Sequence, residues 1–281
     1  MQEKLPKSYI VLFYVLLAFI IILFIGPILW MVSLSFKTKV EVFGYPPRLL
    51  PEHLMFSNYL EVITNSGIPR NLMNSFTLTL FSTMGNLLVT VPAAFAFSRF
   101  RFTFRNQFLF VILMFQMISQ LIIAIPLYRY FINLRMLNSH FGLILIYITV
   151  QVPFTVWLLK GFFDSIPIQL DEAAIIDGTT EVQTLFKILL PLGMPGIATA
   201  LVFNTINAWG NFIIPFIFLN DSNLQPISVG ILSYLSTQSE GDVTTHLMAV
   251  ASVLGLIPAV VIIVGLQKFI VSVLTAGAVK E

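Results

Sequence analysis

Residues 164–196 read DSIPIQLDEAAIIDGTTEVQTLFKILLPLGMPG, and this stretch constrains how the rest of the chain can be arranged. It carries five of the chain's 13 acidic residues and lies between two long apolar runs. Charged side chains are costly inside a bilayer, so a charged insert between two membrane spans has to lie outside the membrane. The stretch therefore predicts an extramembrane element that connects two spans.

The composition is that of a membrane protein. Hydrophobic residues make up 57% of the chain and charged residues 10%, whereas soluble domains carry about 25% charged residues. The net charge of +2 is too small to predict nucleic acid as a partner, and the chain has no cysteine for a disulfide or a reactive thiolate. The three histidines lack the spacing of a metal site, so no metal ligand is predicted.

Six apolar runs are long enough to cross a bilayer as helices, which need about 20 residues each. The first run exceeds the roughly 7–15 apolar residues of a signal peptide, so we interpret it as a retained span. Two longer polar loops are predicted at 37–71 and 220–245. The sequence thus predicts an all-α polytopic protein surrounded by lipid, with spans at about 9–36, 72–97, 108–131, 141–162, 197–219 and 246–270.

The basic residues favour one orientation in the membrane. With the N-terminus inside, the inner segments hold nine Lys and Arg residues and the outer segments hold six, which is the direction of the positive-inside rule. The short loop after the second span contributes most, because it contains Arg99, Arg101 and Arg105 and no acid. We therefore expect both termini and residues 164–196 to lie in the cytoplasm.

The first half of the extramembrane stretch has the pattern of a short helix. Ser165 is a candidate N-cap residue, and Pro167 is a residue favoured in the first turn. The helix is expected to run to about Asp177 and to stop at Gly178, since glycine tolerates the left-handed conformation that ends many helices.

The second half predicts another helix. Thr180 and Gln183 have the spacing of a capping box. The helix is expected to continue to about Leu190 and to end before Pro191, because proline disrupts a helix interior. The two halves together predict a helix–turn–helix element.

Three acidic residues, Asp171, Glu172 and Asp177, fall in the middle and at the end of the first predicted helix. The helix dipole disfavours negative charge at that end. These acids are either the solvated face of an ordinary surface helix or part of a docking surface. In a docking surface, the small residues Ala173 and Ala174 allow close approach and the acids select a basic partner. Periodicity alone leaves both interpretations open.

Residues Glu172–Gly178 read EAAIIDG, and ILLP follows at Ile188–Pro191. This EAAxxDG motif with its distal I-x-L-P resembles the signature of the permease subunits of binding-protein-dependent ABC importers. The chain resembles their carbohydrate-uptake branch over nearly its whole length, and most of all the smaller permease subunit of maltose-type importers. Further similarities are Asn58-Tyr59, Asn74-Ser75, Ala96–Phe100 and Leu274–Lys280.

The resemblance implies a fold and a set of partners. The chain would be one transmembrane domain over residues 1–281, in the inner (cell) membrane of a bacterium or archaeon. It would pair with a second homologous permease, two ATPase subunits and an extracytoplasmic solute-binding protein. The ATPase subunits would bind ATP and Mg, whereas this chain would hold no cofactor and have no catalytic residue. The sequence has no G-x-x-x-x-G-K-[ST] loop, which agrees with that division.

The resemblance also implies a mechanism. In the family, the EAA helix is a coupling helix that inserts into a cleft of the ATPase, and ATP-driven closure of the ATPase dimer switches the membrane helices from inward-facing to outward-facing. By this resemblance Glu172 contacts the ATPase, Ala173 and Ala174 pack in its cleft, and Gly178 allows the tight turn. Asp177 belongs to the motif without an assigned role.

Polar side chains recur at helical spacing within the predicted spans. They either line a path for a hydroxyl-rich cargo or hydrogen-bond one helix to another. The fifth span departs from the W-N-[ED]-F series that the family often has, because residues 209–212 read WGNF, and no role is carried over to these positions. The candidate path residues are Ser75, Thr79, Ser82, Asn86, Gln116, Gln120, Gln151, Asn204 and Asn207.

The predicted function is therefore that of an ABC importer permease subunit that moves a carbohydrate, in particular an oligosaccharide. An importer for another cargo, such as a sugar phosphate, is the first alternative, although no basic residue lies near the middle of a predicted span to pair with a phosphate. A stand-alone channel or secondary transporter is the second alternative. Ion-coupled transporters keep charged residues within their spans for function, and no acidic or basic residue lies near the middle of any span here.

Overall fold

The structure is a computed structural model that describes residues 7–236 and 244–278, and the regular elements in this part of the chain are all helices. In chain order they are α1 Lys7–Ser35, α2 Lys39–Val42, α3 Ser57–Asn65, α4 Ile68–Arg99, α5 Arg105–Phe115, α6 Gln120–Asn133, α7 His140–Ser165, α8 Gln169–Ile176, α9 Glu181–Thr184, a π-helical turn Leu185–Leu189, α10 Leu190–Leu192, α11 Met194–Gly210, α12 Ile213–Phe218, α13 Ile227–Gly230, α14 Ser233–Ser236 and α15 Thr245–Ala278. They form two compact units, Met1–Ile68 with Ile231–Leu256 and Pro69–Gly230 with Ile257–Glu281.

Several helices are long and apolar enough to cross a membrane. In the described part of the chain there are four such segments, Tyr9–Ser35, Ile68–Arg99, His140–Ser165 and Thr245–Gly265. Two further pairs of helices pass the same test jointly and are bent by 90° and 78°, namely Arg105–Phe115 with Gln120–Asn133 and Glu181–Leu192 with Met194–Gly210. The prediction of an all-α polytopic protein is confirmed, with four candidate spans in the described residues, or up to six if each bent pair counts as one.

The predicted third span is not one helix. After Phe115 the backbone tightens, because Met117 and Ile118 donate to carbonyl oxygens three residues earlier (3.1 and 3.3 Å). Ser119 then leaves the helical conformation, with ψ 134°, before α6 begins at Gln120. Serine favours helix ends over helix interiors, because its hydroxyl competes for backbone hydrogen bonds. The break falls where such a residue interrupts the apolar run.

The predicted fifth span also breaks. Here α11 ends at Gly210, Asn211 is extended (φ −70°, ψ 123°), and α12 begins at Ile213. The side-chain oxygen of Asn211 accepts a hydrogen bond from the backbone N–H of Ile214 (3.2 Å), which satisfies one of the donors that a helix start leaves unpaired. Hydropathy could not show this break, because the residues on both sides of it are apolar.

In the first unit, the loop predicted after the first span is an ordered segment that contains α2 and α3. The side-chain amide of Asn58 donates to the carbonyl oxygens of Ser35 (3.0 Å) and Lys37 (2.9 Å), which ties α3 to the end of α1. Lys37 is buried, and its ammonium donates to the carbonyl oxygen of Arg48 (2.5 Å) and lies 4.5 Å from the ring centroid of Trp30. A buried charge needs such partners.

The loop predicted at 220–245 begins in the second unit and is also ordered where the structure describes it. The side-chain amides of Asn71 and Asn74 donate to the Gln225 carbonyl oxygen (2.7 and 3.0 Å), which ties this segment to the start of α4. Residues 237–243, which include Glu240, lie outside the described residues.

The second unit has two apolar clusters with a polar layer between them, and α7 contributes to all three. One cluster contains Ile146 and joins α7 to α4, α6, α11 and α12. The other contains Leu159 and joins α7 to α4, α5, α11 and the Leu185–Leu189 turn. Gln151 and Thr155 lie between the two on α7 and are buried. The extramembrane stretch therefore packs into the second cluster through Ile166, Leu185 and Leu189, and the polar layer lies in mid-helix.

Candidate functional site

The first helix of the extramembrane stretch begins later than predicted. Ser165 ends α7, and its hydroxyl donates to a carbonyl oxygen of that helix's last turn (2.6 Å). Pro167 restricts the residue before it, and Ile166 is accordingly extended, with ψ 124°. This shifts the start of α8 to Gln169 with Ile168 at the N-cap, where the described structure shows no side-chain cap bond. The prediction that Ser165 caps this helix is wrong.

The end of α8 is as predicted. Gly178 has φ +85°, in the left-handed region. Its N–H donates to the carbonyl oxygen of Ile175 (3.0 Å), and the N–H of Thr179 donates to that of Ala174 (3.0 Å). These two bonds are the Schellman motif that closes a helix with a glycine. The Thr179 hydroxyl also donates to the Ala174 carbonyl oxygen (2.8 Å). Two hydrogen bonds from Thr179 therefore hold the turn after the helix.

The second helix starts as predicted and ends later than predicted. Both bonds of the capping box are present: the Thr180 hydroxyl accepts from the Gln183 N–H (3.3 Å), and the Gln183 side chain accepts from the Thr180 N–H (3.0 Å). The chain then widens into the π-helical turn Leu185–Leu189 and continues helically through Pro191 to Leu192. Proline lacks an N–H and crowds the preceding turn of an α-helix, and the wider turn relieves that crowding.

The acidic residues of α8 do not share one environment. Because α8 begins at Gln169, Asp171 and Glu172 lie in its first turn, where the helix dipole favours negative charge. The expectation that the dipole disfavours these two acids is wrong. Glu172 and Asp177 are exposed, whereas Asp171 is only 7% exposed. The interpretation as a solvated acidic face therefore holds for Glu172 and Asp177 but not for Asp171.

Arg99, at the end of α4, holds Asp171 in this buried position. The Arg99 Nε pairs with the Asp171 Oδ2, and each side chain is 10% exposed. The other two guanidinium nitrogens donate to the carbonyl oxygens of Phe163 (2.9 Å) and Ile166 (3.1 Å), at the end of α7. One cation thus joins the ends of α4 and α7 to α8, through an ion pair with Asp171 and charge-assisted hydrogen bonds to the two carbonyl oxygens. We call Arg99, Asp171 and these two carbonyls the ionic junction.

A second, more exposed contact lies beside the ionic junction. The Ser98 hydroxyl donates to Asp164 Oδ1 (2.7 Å), and the Lys160 ammonium pairs with Asp164 Oδ2 (2.5 Å). Exposed pairs of this kind contribute little, typically about 0–1 kcal/mol. This contact joins α4 to α7, whereas the ionic junction also reaches α8.

The outward face of α8 combines apolar and acidic side chains. Ile175 and Ile176 are 56% and 85% exposed, and Glu172 and Ala173 are exposed beside them. Ala174 is 4% exposed and lies against this chain's own interior. Of the motif residues, Glu172, Ala173, Asp177 and Gly178 are available to a partner, whereas Ala174 seats the helix.

Two of the candidate path residues, Asn86 and Asn204, belong with Thr155 to a buried network in the polar layer. The Asn204 side-chain amide donates to Asn86 Oδ1 (2.8 Å), and the Thr155 hydroxyl reaches Asn204 Oδ1 (3.0 Å) as well as the Gln151 carbonyl oxygen (2.9 Å). Asn86 in turn donates to the Ile148 carbonyl oxygen (3.1 Å). Asn86, Thr155 and Asn204 are 0% exposed. We call these three residues the amide junction, because they join α4, α7 and α11.

The polar residues on the first half of α4 are also buried. The Ser75 hydroxyl accepts from the Ile227 N–H (2.8 Å), and the Ser82 hydroxyl donates to the Thr79 carbonyl oxygen (3.3 Å). Ser75, Thr79 and Ser82 are at most 5% exposed. Ser75 thus joins α4 to the start of α13, whereas the Ser82 bond lies within α4 and the Thr79 hydroxyl has no partner among the described residues.

The remaining candidates, Gln116, Gln120, Gln151 and Asn207, come together around a small cavity of about 40 Å³. Tyr147 and Asn211 line the same cavity. The Asn211 side-chain amide donates to Gln120 Oε1 (3.3 Å). Asn211 follows Asn207 at helical spacing, a signal that could have added it to the candidates. Tyr147 gave the same signal, because it lies one helical turn before Gln151.

Comparisons with known proteins show similarity along nearly the whole chain. The family described as the binding-protein-dependent transport system inner membrane component matches residues 86–274. The galactooligosaccharides transport system permease protein GanQ of Bacillus subtilis is 35% identical over 270 residues, which cover 95% of this chain and 94% of GanQ. The trehalose/maltose transport system permease protein MalG of Thermococcus litoralis is 30% identical over 282 residues, which cover 100% of this chain and 99% of MalG.

A solved structure shares the fold. It is the crystal structure of a bacterial ABC transporter involved in the import of the acidic polysaccharide alginate. One of its chains matches with a TM-score of 0.82 and 23% sequence identity, over 95% of this chain and 99% of that chain. The chain thus has the fold of a known membrane-protein architecture.

Proposed function

Because the chain belongs to the family of binding-protein-dependent transport system inner membrane components, we propose that it couples ATP hydrolysis in a partner to the movement of a carbohydrate across the membrane. It is an ABC importer permease subunit, and such subunits are not catalytic themselves. ATP is bound by the partner ATPase. The observation that carries the proposal is the geometry of α8, which is anchored on one side and exposed on the other.

The exposed side of α8 is suited to dock in a cleft of the ATPase. Ile175 and Ile176 offer apolar area that is unfavourable in water, and Glu172 and Asp177 offer charges that select a basic rim. Gly178 allows the chain to turn back immediately after the helix. Ala173 allows close approach, whereas Ala174 contributes by packing α8 against its own chain.

The anchored side of α8 transmits the motion. When the ATPase subunits close on ATP, a docked α8 is displaced, and the ionic junction passes that displacement to the ends of α4 and α7. Packed helices move as rigid bodies between discrete arrangements. Alternating access to the cargo path then follows from a shift of α4 and α7, with ATP supplying the difference in free energy between the inward-facing and outward-facing states.

The partners follow from this division of labour. A complete importer would contain this chain, a second homologous permease, two ATPase subunits and an extracytoplasmic solute-binding protein. Both termini and α8 would face the cytoplasm, in line with the bias of basic residues. The segments at 37–71 and 220–245 would face the binding protein. Crosslinking from Asp221 that captured only the ATPase would reverse this orientation.

The cargo is proposed to be a neutral carbohydrate, in particular an oligosaccharide. GanQ and MalG, which match nearly the whole chain, are named for galactooligosaccharide and for trehalose and maltose transport. The polar side chains near the middle of the predicted spans are amides and hydroxyls, and the basic residues lie near the span ends. A phosphate group would need a cation near mid-span, so a sugar phosphate is disfavoured.

Uptake by the reconstituted importer tests the proposal. The complete complex is placed in proteoliposomes with its binding protein, and ATP-dependent uptake of radiolabelled maltose and β-1,4-galactobiose is measured together with that of glucose 6-phosphate. We expect uptake of a neutral sugar. Uptake of the sugar phosphate alone, or of none of these compounds while ATP hydrolysis proceeds, would contradict the carbohydrate proposal.

A substitution at Glu172 tests the docking surface. We expect Glu172→Ala to leave the chain inserted but to reduce uptake and co-purification of the ATPase, because an exposed charge of the docking face is lost. Glu181→Ala is the matched control, since Glu181 is also exposed but starts the next helix. Normal uptake and normal ATPase recovery in the Glu172 variant would refute the docking role.

A further inference from the structure

The cavity beside Gln151 is lined by two residues whose buried polar atoms have no hydrogen-bond partner in the described structure. It lies in the second unit, between the break that separates α5 from α6, the middle of α7 and the end of α11. Within residues 7–236 and 244–278, the Tyr147 hydroxyl and Gln151 Oε1 have no hydrogen-bond partner, although these residues are only 2% and 6% exposed. Buried polar atoms normally have partners, and either a water molecule or a hydroxyl group of a ligand could satisfy these two.

The two atoms are chemically complementary to a hydroxyl group. A tyrosine hydroxyl donates, an amide oxygen accepts, and an incoming hydroxyl does both. The volume of about 40 Å³ accommodates one such group rather than a whole sugar ring. The remainder of a larger molecule would stay at the mouth, where the exposed amides of Gln116 and Asn207 offer further hydrogen bonds.

The residues that line the cavity also favour an uncharged ligand. All residues that line the cavity in the described structure are neutral. An anionic group buried here would lack a counter-charge, which is unfavourable in a low-dielectric site. Phe203 adds an apolar ring at the cavity. This combination of neutral hydrogen-bonding groups and a ring is typical of sites for polyols and sugars.

We propose that Tyr147 and Gln151 bind a hydroxyl group of the carbohydrate during translocation, and that this permease subunit therefore contributes directly to cargo recognition. Asn211 is a positioning residue, since its side chain is fixed by the Ile214 N–H and in turn holds Gln120 at the cavity. The inference rests on the proposed carbohydrate transport and adds a site to it.

The test uses the complete complex and two matched substitutions. Tyr147→Phe removes the hydroxyl and keeps the ring in its packed position in the core, and Tyr130→Phe makes the same change at an exposed site on α6. Complexes are trapped with ATP and vanadate, and the retained radiolabelled sugar is measured for maltose, β-1,4-galactobiose and their monodeoxy analogues. Membrane abundance and vanadate-sensitive ATP hydrolysis show whether each variant is folded and assembled.

We expect Tyr147→Phe to retain about 3- to 10-fold less sugar than the wild type, the range for one neutral hydrogen bond, and Tyr130→Phe to retain the same amount. The decisive readout is a double-mutant cycle. The wild type should discriminate against one monodeoxy analogue, and Tyr147→Phe should lose that discrimination. A purely structural role would weaken all analogues equally.

The outcomes separate the inference from the proposed function. If the wild-type complex retains and transports no sugar, the carbohydrate proposal itself fails. If it transports sugar, and Tyr147→Phe and Gln151→Met both retain the full amount with unchanged discrimination, the cavity holds only water and the inference is overturned. Gln151→Met removes the amide at nearly constant volume, so it also checks the site when the tyrosine variant assembles poorly.

Discussion

The ionic junction and the amide junction do the same work in two different environments. Each joins three helical elements of the second unit, and each is buried, but the ionic junction uses a guanidinium and a carboxylate whereas the amide junction uses only neutral groups. The ionic junction lies at helix ends, and the amide junction lies between two apolar clusters in mid-helix. Desolvating a charge costs more the farther it lies from water. The charged pair therefore lies at the helix ends, where water is near, and the neutral amides lie in mid-helix, where a charge would cost more to bury.

The largest expected effect comes from breaking the ionic junction on one side. Asp171→Asn leaves Arg99 buried without its anionic partner, which typically costs about 3–5 kcal/mol. We expect a lower melting temperature of the purified complex and a loss of uptake greater than tenfold. Glu181→Gln, an exposed acid that changes in the same way, should behave as the wild type.

Replacing the whole pair separates stability from coupling. Arg99→Met with Asp171→Leu removes both charges, and well-packed apolar replacements of a buried pair are often neutral in stability. We expect the double variant to regain the melting temperature but not the uptake, because the Phe163 and Ile166 carbonyls are no longer held. Full recovery of uptake would show that the ionic junction only stabilises the fold.

Breaking the amide junction should have a smaller effect, on stability rather than on coupling. Asn204→Leu removes the donor to Asn86 Oδ1 and an acceptor of the Thr155 hydroxyl, and side-chain hydrogen bonds between membrane helices contribute roughly 0.6–2 kcal/mol. We expect a modest fall in melting temperature with ATP hydrolysis and uptake still coupled. Asn207→Leu is the matched control for stability, since the Asn207 amide donates only within its own turn to Phe203 (2.9 Å).

The contrast between the junctions also explains what the sequence could predict. The Schellman ending at Gly178 and the capping box at Thr180 were predictable, because each involves residues at most five positions apart. The burial of Asp171 was not, since its partner Arg99 lies in another helix and far away in the sequence. An acid in a short helix is usually solvated, and only the fold shows that this one is paired.

The polar stripes show the same limit within the membrane. Helical spacing placed Asn86, Gln151, Asn204 and Asn207 on common faces, but a stripe that lines a path and a stripe that joins helices have the same period. The hydrogen-bond partners distinguish the two cases. Asn204 donates to Asn86, whereas Gln151 Oε1 has no partner in the described residues. The break at Asn211, which lines the cavity, was likewise invisible to hydropathy.

A change at Gly178 tests whether the docking end of α8 depends on backbone conformation alone. An added Cβ would meet no described atom within 4 Å, so Gly178→Ala is strained only by φ +85°, at about 1–2 kcal/mol for an L-residue in the left-handed region. We expect reduced recovery of the ATPase with the ionic junction intact. Gly178→Asn should be milder, since asparagine tolerates this region.

The control for this position is Gly161→Ala, because Gly161 also has open space around it but lies within α7. Alanine is favoured over glycine in a helix by about 1 kcal/mol, so this variant should be as stable as the wild type or more stable. Equal ATPase recovery in the Gly178 and Gly161 variants would show that the left-handed turn does not matter for docking.

The smallest expected effect is at the capping box, on the side of the turn away from the ionic junction. Thr180→Ala removes the oxygen that accepts from the Gln183 N–H, and such caps contribute about 1 kcal/mol. Because Asp171 still holds α8, we expect faster amide hydrogen exchange in residues 181–184 with unchanged exchange in α8, and little change in uptake. Thr180→Ser keeps the acceptor and should exchange as the wild type does. If exchange in α8 rises together with that in α9, the two helices open as one unit, and the ionic junction does not fix α8 independently of the turn that follows it.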